Sequence, residues 1–244
     1  MKKDYKFIDI KKKSLILIAI LLVCYFTIGN IFSLLFTAIS GQELTVIQKE
    51  IVVWVIDIVT TILLIFSLRY FIAASFSDLK TKGIKNLLLW ILIGFLLQLL
   101  LSTVGYSIMV VIVLKGGVNL SFNNQTAINS MLKDSYILNF ISLVIIAPFV
   151  EELFFRAFVF HVLKNKLILS IILSSLFFGV THVIGEIIHG EFVVASVTMI
   201  IYAFSGLGLA ILYAKRKNIL VPMFVHMIWN LLSFSLNLLK DLII

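Results

Sequence analysis

The chain has 244 residues, of which 61% are hydrophobic and 13% charged, and it carries a formal net charge of +8. Soluble domains average about 45–50% apolar and about 25% charged residues, so a mean hydropathy of +1.16 excludes that class and points to an integral membrane protein. The basic residues lie between long apolar segments, where they orient a chain in a bilayer, and they do not indicate a nucleic-acid partner.

Seven apolar segments follow one another at about 14–39, 51–76, 86–114, 136–163, 167–184, 192–214 and 219–240. Each approaches or exceeds the roughly 20 residues that a helix needs to cross about 30 Å of hydrocarbon. Only helices and closed barrels satisfy the backbone in lipid, and the period-two alternation of a barrel is absent. The expected fold is therefore an all-α, polytopic transmembrane bundle of about seven spans. An eighth element forms if 136–163 breaks near Pro148, or if 184–191 makes a short helix.

The first segment follows MKKDYKFIDIKKK, the charge order of a signal peptide. Its apolar run is too long for a cleaved one and no small-residue cleavage site follows, so it reads as a retained span. That span holds the single cysteine, Cys24, which rules out an intramolecular disulfide and a cysteine-based metal site. Fourteen cations precede the first span or follow the second, fourth and sixth, among them Lys80, Lys164, Lys166 and Arg216. Only Lys49, Lys115, Lys133 and Lys240 fall on the other side. The positive-inside rule then puts the N-terminus in the cytoplasm and the C-terminus outside. The polar loop 115–135 is expected outside, as a connector that could cap an opening toward substrate.

Residues 147–158, APFVEELFFRAF, place two carboxylates and an arginine inside an apolar run. Ionisable groups there cost about 2.5–3.5 kcal/mol each on insertion scales, so each needs a partner or a task. Glu152 and Arg156 are spaced i and i+4 in the favourable order for an ion pair. Glu151 lies about 100° around the helix and is left over. Pro148 has no N–H to give the carbonyl of Val144, so a kink is expected beside Glu151.

Two histidines sit in other spans. His182 is late in the fifth, and His226 is early in the seventh with Asn230 one turn on. At 1.5 Å per residue, Glu151, His182 and Asn230 lie roughly 16–23 Å from the cytoplasmic helix ends, and His226 about 10 Å. A shared site within the membrane is feasible, with groups suited to activating water and stabilising an oxyanion. His161 reads as interfacial. His182, Glu186 and His189 fall on one face if their helix continues, although Glu186 and His189 fit a solvated outer mouth. Asp57 has no partner within its own span, and Gly206 and Gly208 suggest close helix packing.

The ordered set EELFFR (Glu151–Arg156), FGVTH (Phe178–His182) and HMIWN (His226–Asn230) resembles the CPBP family of membrane-embedded proteases. That family includes CAAX prenyl endopeptidases of the Ras-converting type and bacterial abortive-infection and bacteriocin-immunity proteins. The resemblance covers about 136–240, within a protease core of 136–244, with 1–135 as variable N-terminal helices of the same membrane domain. It implies an endopeptidase acting on peptide or membrane-protein substrates near the bilayer. Glu151 would be the general base with His182 as its partner, His226 and Asn230 the oxyanion donors, and Glu152 with Arg156 the structural support. Both a zinc site of Glu151, His182 and His226 and a metal-free mechanism are compatible with these residues. Where some members carry Asn one turn after the second-motif histidine, this chain has Glu186. A lysine-, isoleucine- and asparagine-rich composition suggests a bacterial cell membrane, and bacteriocin or pheromone processing, or self-immunity, as the setting. The other readings are a non-proteolytic scaffold or immunity partner that keeps the motifs, and a proton-coupled transporter, for which the expected internal repeat is missing.

Overall fold

A computed structural model describes residues 7–116, 136–164 and 166–243. The connector expected outside the membrane lies, in its 117–135 part, outside the described residues. Among those described there is no strand, and the helices are α1 (Lys12–Ser40), α2 (Val46–Lys82), α3 (Ile84–Gly116), α4 (136–162), α5 (Leu167–Thr181), α6 (Ile184–Ile188), α7 (Phe192–Arg216) and α8 (Leu220–Ile243). Six are long and apolar enough to cross a membrane: α1, α2, α3, α4, α7 and α8. The seventh expected span, 167–184, is the shorter α5, because the chain turns at His182 and Val183 before starting the brief α6. At 15 residues α5 is about 22 Å long.

Local signals set the boundaries. Thr45 opens α2 with a capping box, its hydroxyl accepting from the Gln48 amide while the Gln48 side chain accepts from the Thr45 amide. Gly41 ends α1 at φ 70°, a left-handed conformation that glycine adopts without strain.

The bundle is organised around α7, which packs along α3 on one side and α5 on the other. Small residues permit this closeness, as expected of Gly206 and Gly208. A Cβ on Gly206 would sit 3.0 Å from Phe178 Cβ, and one on Gly208 would sit 2.7 Å from Gln98 Oε1. The outer faces of α1, α2 and α3 expose large apolar side chains such as Leu34, Phe66 and Leu100, as lipid-facing surfaces do.

One end of the bundle gathers the residues that charge counting had grouped. Phe7 packs on Phe160 and Tyr213 with Lys217 over its ring, and Lys164 donates to Asp9 at 3.0 Å. Lys164 holds the Asp9 carboxyl below the usual range. Arg216 Nη1 donates to Asp78 Oδ2 at 3.0 Å, and Asn218 Nδ2 donates to the Ser75 carbonyl at 2.8 Å. The N-terminal segment and the ends of α2, α4 and α7 therefore share one face. His161 is there too, but it is buried rather than interfacial, its Nε2 2.6 Å from the Ile8 carbonyl under the N-terminal segment.

Candidate active site

The chemistry begins with the backbone of α4. This helix widens twice to π geometry, over Ile141–Ile146 and Leu153–Phe158, on either side of Ala147–Glu152. Such widenings are rare and concentrate at functional sites. The first is tied to Pro148, though not through the carbonyl expected from the sequence. The Ala147 amide reaches back five residues to the Ser142 carbonyl, and Pro148 has no amide to offer. Leu143, not Val144, is thus the carbonyl denied its normal donors. Asn230 Nδ2 supplies one from α8 at 2.9 Å.

Behind Glu151 lies a closed set of charges. Arg156 Nη1 donates to Glu152 Oε1 at 2.9 Å, the ion pair that the i, i+4 spacing predicts, and both side chains are fully buried. Arg156 Nη2 donates to the Gly206 carbonyl at 2.9 Å, so the close approach of α7 completes the arginine's coordination. His226 Nδ1 lies 3.0 Å from the same Glu152 oxygen. A carboxylate only accepts, so Nδ1 carries the proton and Nε2 faces Glu151 Oε2, 3.8 Å away.

Phe178 explains why an aromatic stands four residues before His182. Its carbonyl accepts from His182 Nδ1 at 2.7 Å, and its ring lies 4.4 Å from the imidazole. The same ring takes the Arg156 guanidinium at 4.9 Å and the edge of His226 at 5.6 Å. Tyr202 of α7 stacks on the other side of His182 at 4.5 Å. With Nδ1 committed to a carbonyl, Nε2 is the nitrogen that His182 can offer to a ligand.

A cavity of about 420 Å³ opens in front of these groups, and Glu151, His182 and Asn230 all line it. His226 is buried behind the wall. Tyr25 from α1, Asp57 and Val53 from α2, and Trp229 and Ser233 from α8 also line the cavity. Asp57, unpartnered within its own helix, is bonded across helices: Tyr25 Oη donates to Oδ1 at 3.0 Å and Ser142 Oγ donates to Oδ2. Sequence reasoning singled out Asp57 but missed Tyr25, Ser142 and Tyr202, since hydroxyls and aromatics are common in apolar spans and carry no distinguishing spacing.

Two arrangements considered from the sequence are not found. His182, Glu186 and His189 share no helical face, because the turn at His182 and Val183 separates α5 from α6. Glu186 is not solvated either: it is 1% exposed and neither carboxylate oxygen has a hydrogen-bond partner. Among the described residues, no three His, Cys, Asp or Glu side chains are arranged to hold a metal ion. In both His182 and His226 Nδ1 is bonded to an oxygen, which leaves Nε2 of each as the nitrogen that can meet a ligand.

Residues 133–232 match the family described as type II CAAX prenyl endopeptidase Rce1-like, a segment that holds all three motifs. Over that segment, less than half of its length, the chain is similar to the Rce1-like family. Relatives lie in bacteria. Over 145 residues it is 28% identical to YdiL of Bacillus subtilis, a candidate membrane peptidase, covering 59% of this chain and 53% of that protein. Over 205 residues it is 29% identical to the membrane-embedded CAAX protease MroQ of Staphylococcus aureus, covering 80% of this chain and 76% of that one. The chain thus spans about half the length of the Bacillus relative. No solved structure gives a significant match. The Rce1-like segment corresponds to α4 through most of α8, and Asp57 and Tyr25 stand outside it. Helices and relatives together make this a multi-pass protein of a bacterial membrane.

Proposed function

We propose that the protein is an intramembrane endopeptidase in which Glu151 activates water. The observation that carries this reading is that Glu151, His182 and Asn230, from three helices, line one cavity with a buried ion pair directly behind them. Glu151 removes a proton from water as the oxygen attacks the scissile carbonyl carbon. The tetrahedral oxyanion takes a hydrogen bond from the second N–H of Asn230 Nδ2, the first being held by Leu143, while His182 Nε2 accepts a hydrogen bond from the attacking water beside Glu151. As the carbon–nitrogen bond breaks, Glu151 returns its proton to the leaving amine. Glu152, fixed by Arg156, holds His226 by Nδ1 and so keeps its Nε2 against Glu151. In this role His226 orients the base, His182 stays the partner of Glu151 that the family resemblance implies, and Asn230 is left as the oxyanion donor.

The substrate class is a peptide or membrane-protein segment reaching the bilayer interior, and the setting is maturation of a bacteriocin or pheromone, or self-immunity. The test is cleavage of bacterial leader peptides by the purified protein in liposomes, with and without a strong chelator. The expected result is cleavage that survives the chelator and vanishes in Glu151→Gln. Cleavage that persists in Glu151→Gln would refute the assignment of the base.

A further inference from the structure

Among the described residues, several carboxylates meet a basic partner across or along the helices, and Asp57 on the cavity wall does not. Glu152 meets Arg156, Asp78 meets Arg216 and Lys82, and Asp9 meets Lys164. Asp57 is 3% exposed and, among the described residues, has only hydroxyl partners, although the chain holds 20 Lys and Arg residues. Among the described residues the wall of the cavity carries a second carboxylate, Glu151, and no lysine or arginine.

Two carboxylates facing one cavity of low dielectric repel each other and favour a cation between them. The hydroxyls do not neutralise Asp57; they aim it. Tyr25 on α1 holds one oxygen and Ser142 on α4 holds the other, so the carboxylate is fixed by three helices at the cavity wall. Ser142 also supplies the carbonyl that accepts the Ala147 amide in the widened turn, so Asp57 is in register with the segment that carries Glu151.

We infer that Asp57 is a specificity-determining residue, the subsite for a positively charged group of the substrate: a lysine or arginine side chain near the scissile bond, or a free N-terminal amine. The inference rests on the endopeptidase reading and adds a substrate class to it. The positive group occupies the cavity beside Asp57 while the scissile carbonyl lies against Glu151 and His182. Selection for charge then comes from α2, outside the Rce1-like segment, and a related chain with an apolar residue here would select differently.

The experiment uses three otherwise identical peptides: N-acetylated with lysine beside the cleavage site, N-acetylated with norleucine there, and norleucine with a free N-terminus. Binding is followed by the fluorescence of Trp229, which lines the cavity, in the full-length Glu151→Gln protein with Trp54 and Trp90 replaced by Phe, in liposomes, and cleavage is followed in the wild type. A charge-assisted hydrogen bond at Asp57 is expected to favour a cationic peptide about tenfold in Kd and in kcat/KM. Asp57→Asn should bring the three peptides within about twofold of one another, and Asp57→Glu should restore part of the preference. Preference for the lysine peptide identifies the side chain, and preference for the free amine identifies the terminus. Equal binding of all three, or a preference that survives Asp57→Asn, would overturn the inference. Absence of cleavage with charge-selective binding intact would instead sink the protease reading and leave the subsite standing.

Discussion

One oxygen of Glu152 accepts from both Arg156 and His226, while its neighbour Glu151 faces the cavity. Adjacent residues of the same type are thereby given opposite surroundings. Replacing Glu152 by Gln keeps the shape but leaves the Arg156 guanidinium without a counter-charge in a fully buried place. Breaking a buried pair in this way is strongly destabilising, by about 3–5 kcal/mol. Thermal unfolding of the purified protein should show a large fall for Glu152→Gln and a small one for Glu151→Gln. Equal losses in the two variants would mean that the charge chain behind the cavity is not what holds the helices. Arg156→Lys should resemble Glu152→Gln, because a lysine lacks the planar fork that reaches Glu152 and the Gly206 carbonyl together. Recovery of wild-type stability in Arg156→Lys would show that charge alone suffices there.

At the scale of the element, α4 shows what a sequence can and cannot disclose. Glu152 and Arg156 were readable as a pair because helical spacing alone fixes their proximity. Pro148 was readable as a disturbance for the same kind of local reason. Which carbonyl the disturbance would free was not readable, because it depends on a shift to five-residue hydrogen bonding and on α8 lying alongside to answer it. Asn230 therefore has a structural duty that its motif does not reveal. Asn230→Ala leaves the Leu143 carbonyl without its protein donor, and because that carbonyl is partly buried at the cavity wall the loss should fall at or below the about 1–3 kcal/mol of a fully buried unsatisfied group. Pro148→Ala returns an amide to the helix, so the loss on Asn230→Ala should shrink in a Pro148→Ala background. The four melting temperatures of this double-mutant cycle measure the coupling. Strict additivity would separate the proline from the asparagine and leave Asn230 to the cavity alone.

Across the whole molecule, the apolar segments and the grouping of basic ends were legible because hydropathy and charge act residue by residue along a single chain. Pairing between distant helices was not. Nothing in one sequence brings Tyr25, Asp57 and Ser142 together, and although a short helix at 184–191 is one sequence expectation, the burial of Glu186 on it depends on packing that one chain's sequence does not display. The grouping has a consequence for orientation. The N-terminal segment and the α4–α5 link meet at one end, through Asp9 and Lys164, whereas α1, at 29 residues and about 43 Å, carries the α1–α2 link to the other. The positive-inside rule assigns the lysine-rich end to the cytoplasm. In a Cys24→Ser background, a cysteine at Gln42, exposed in the α1–α2 link, should react with an impermeant thiol reagent added to intact cells. A cysteine at Lys166, exposed in the α4–α5 link, should react only after permeabilisation. The two positions stand on opposite ends of the same bundle, so they must give opposite answers if both helices cross the bilayer. The reverse pattern would invert the protein and turn its lysine-rich face outward, and labelling of both in intact cells would mean that the chain between them does not span the membrane an odd number of times.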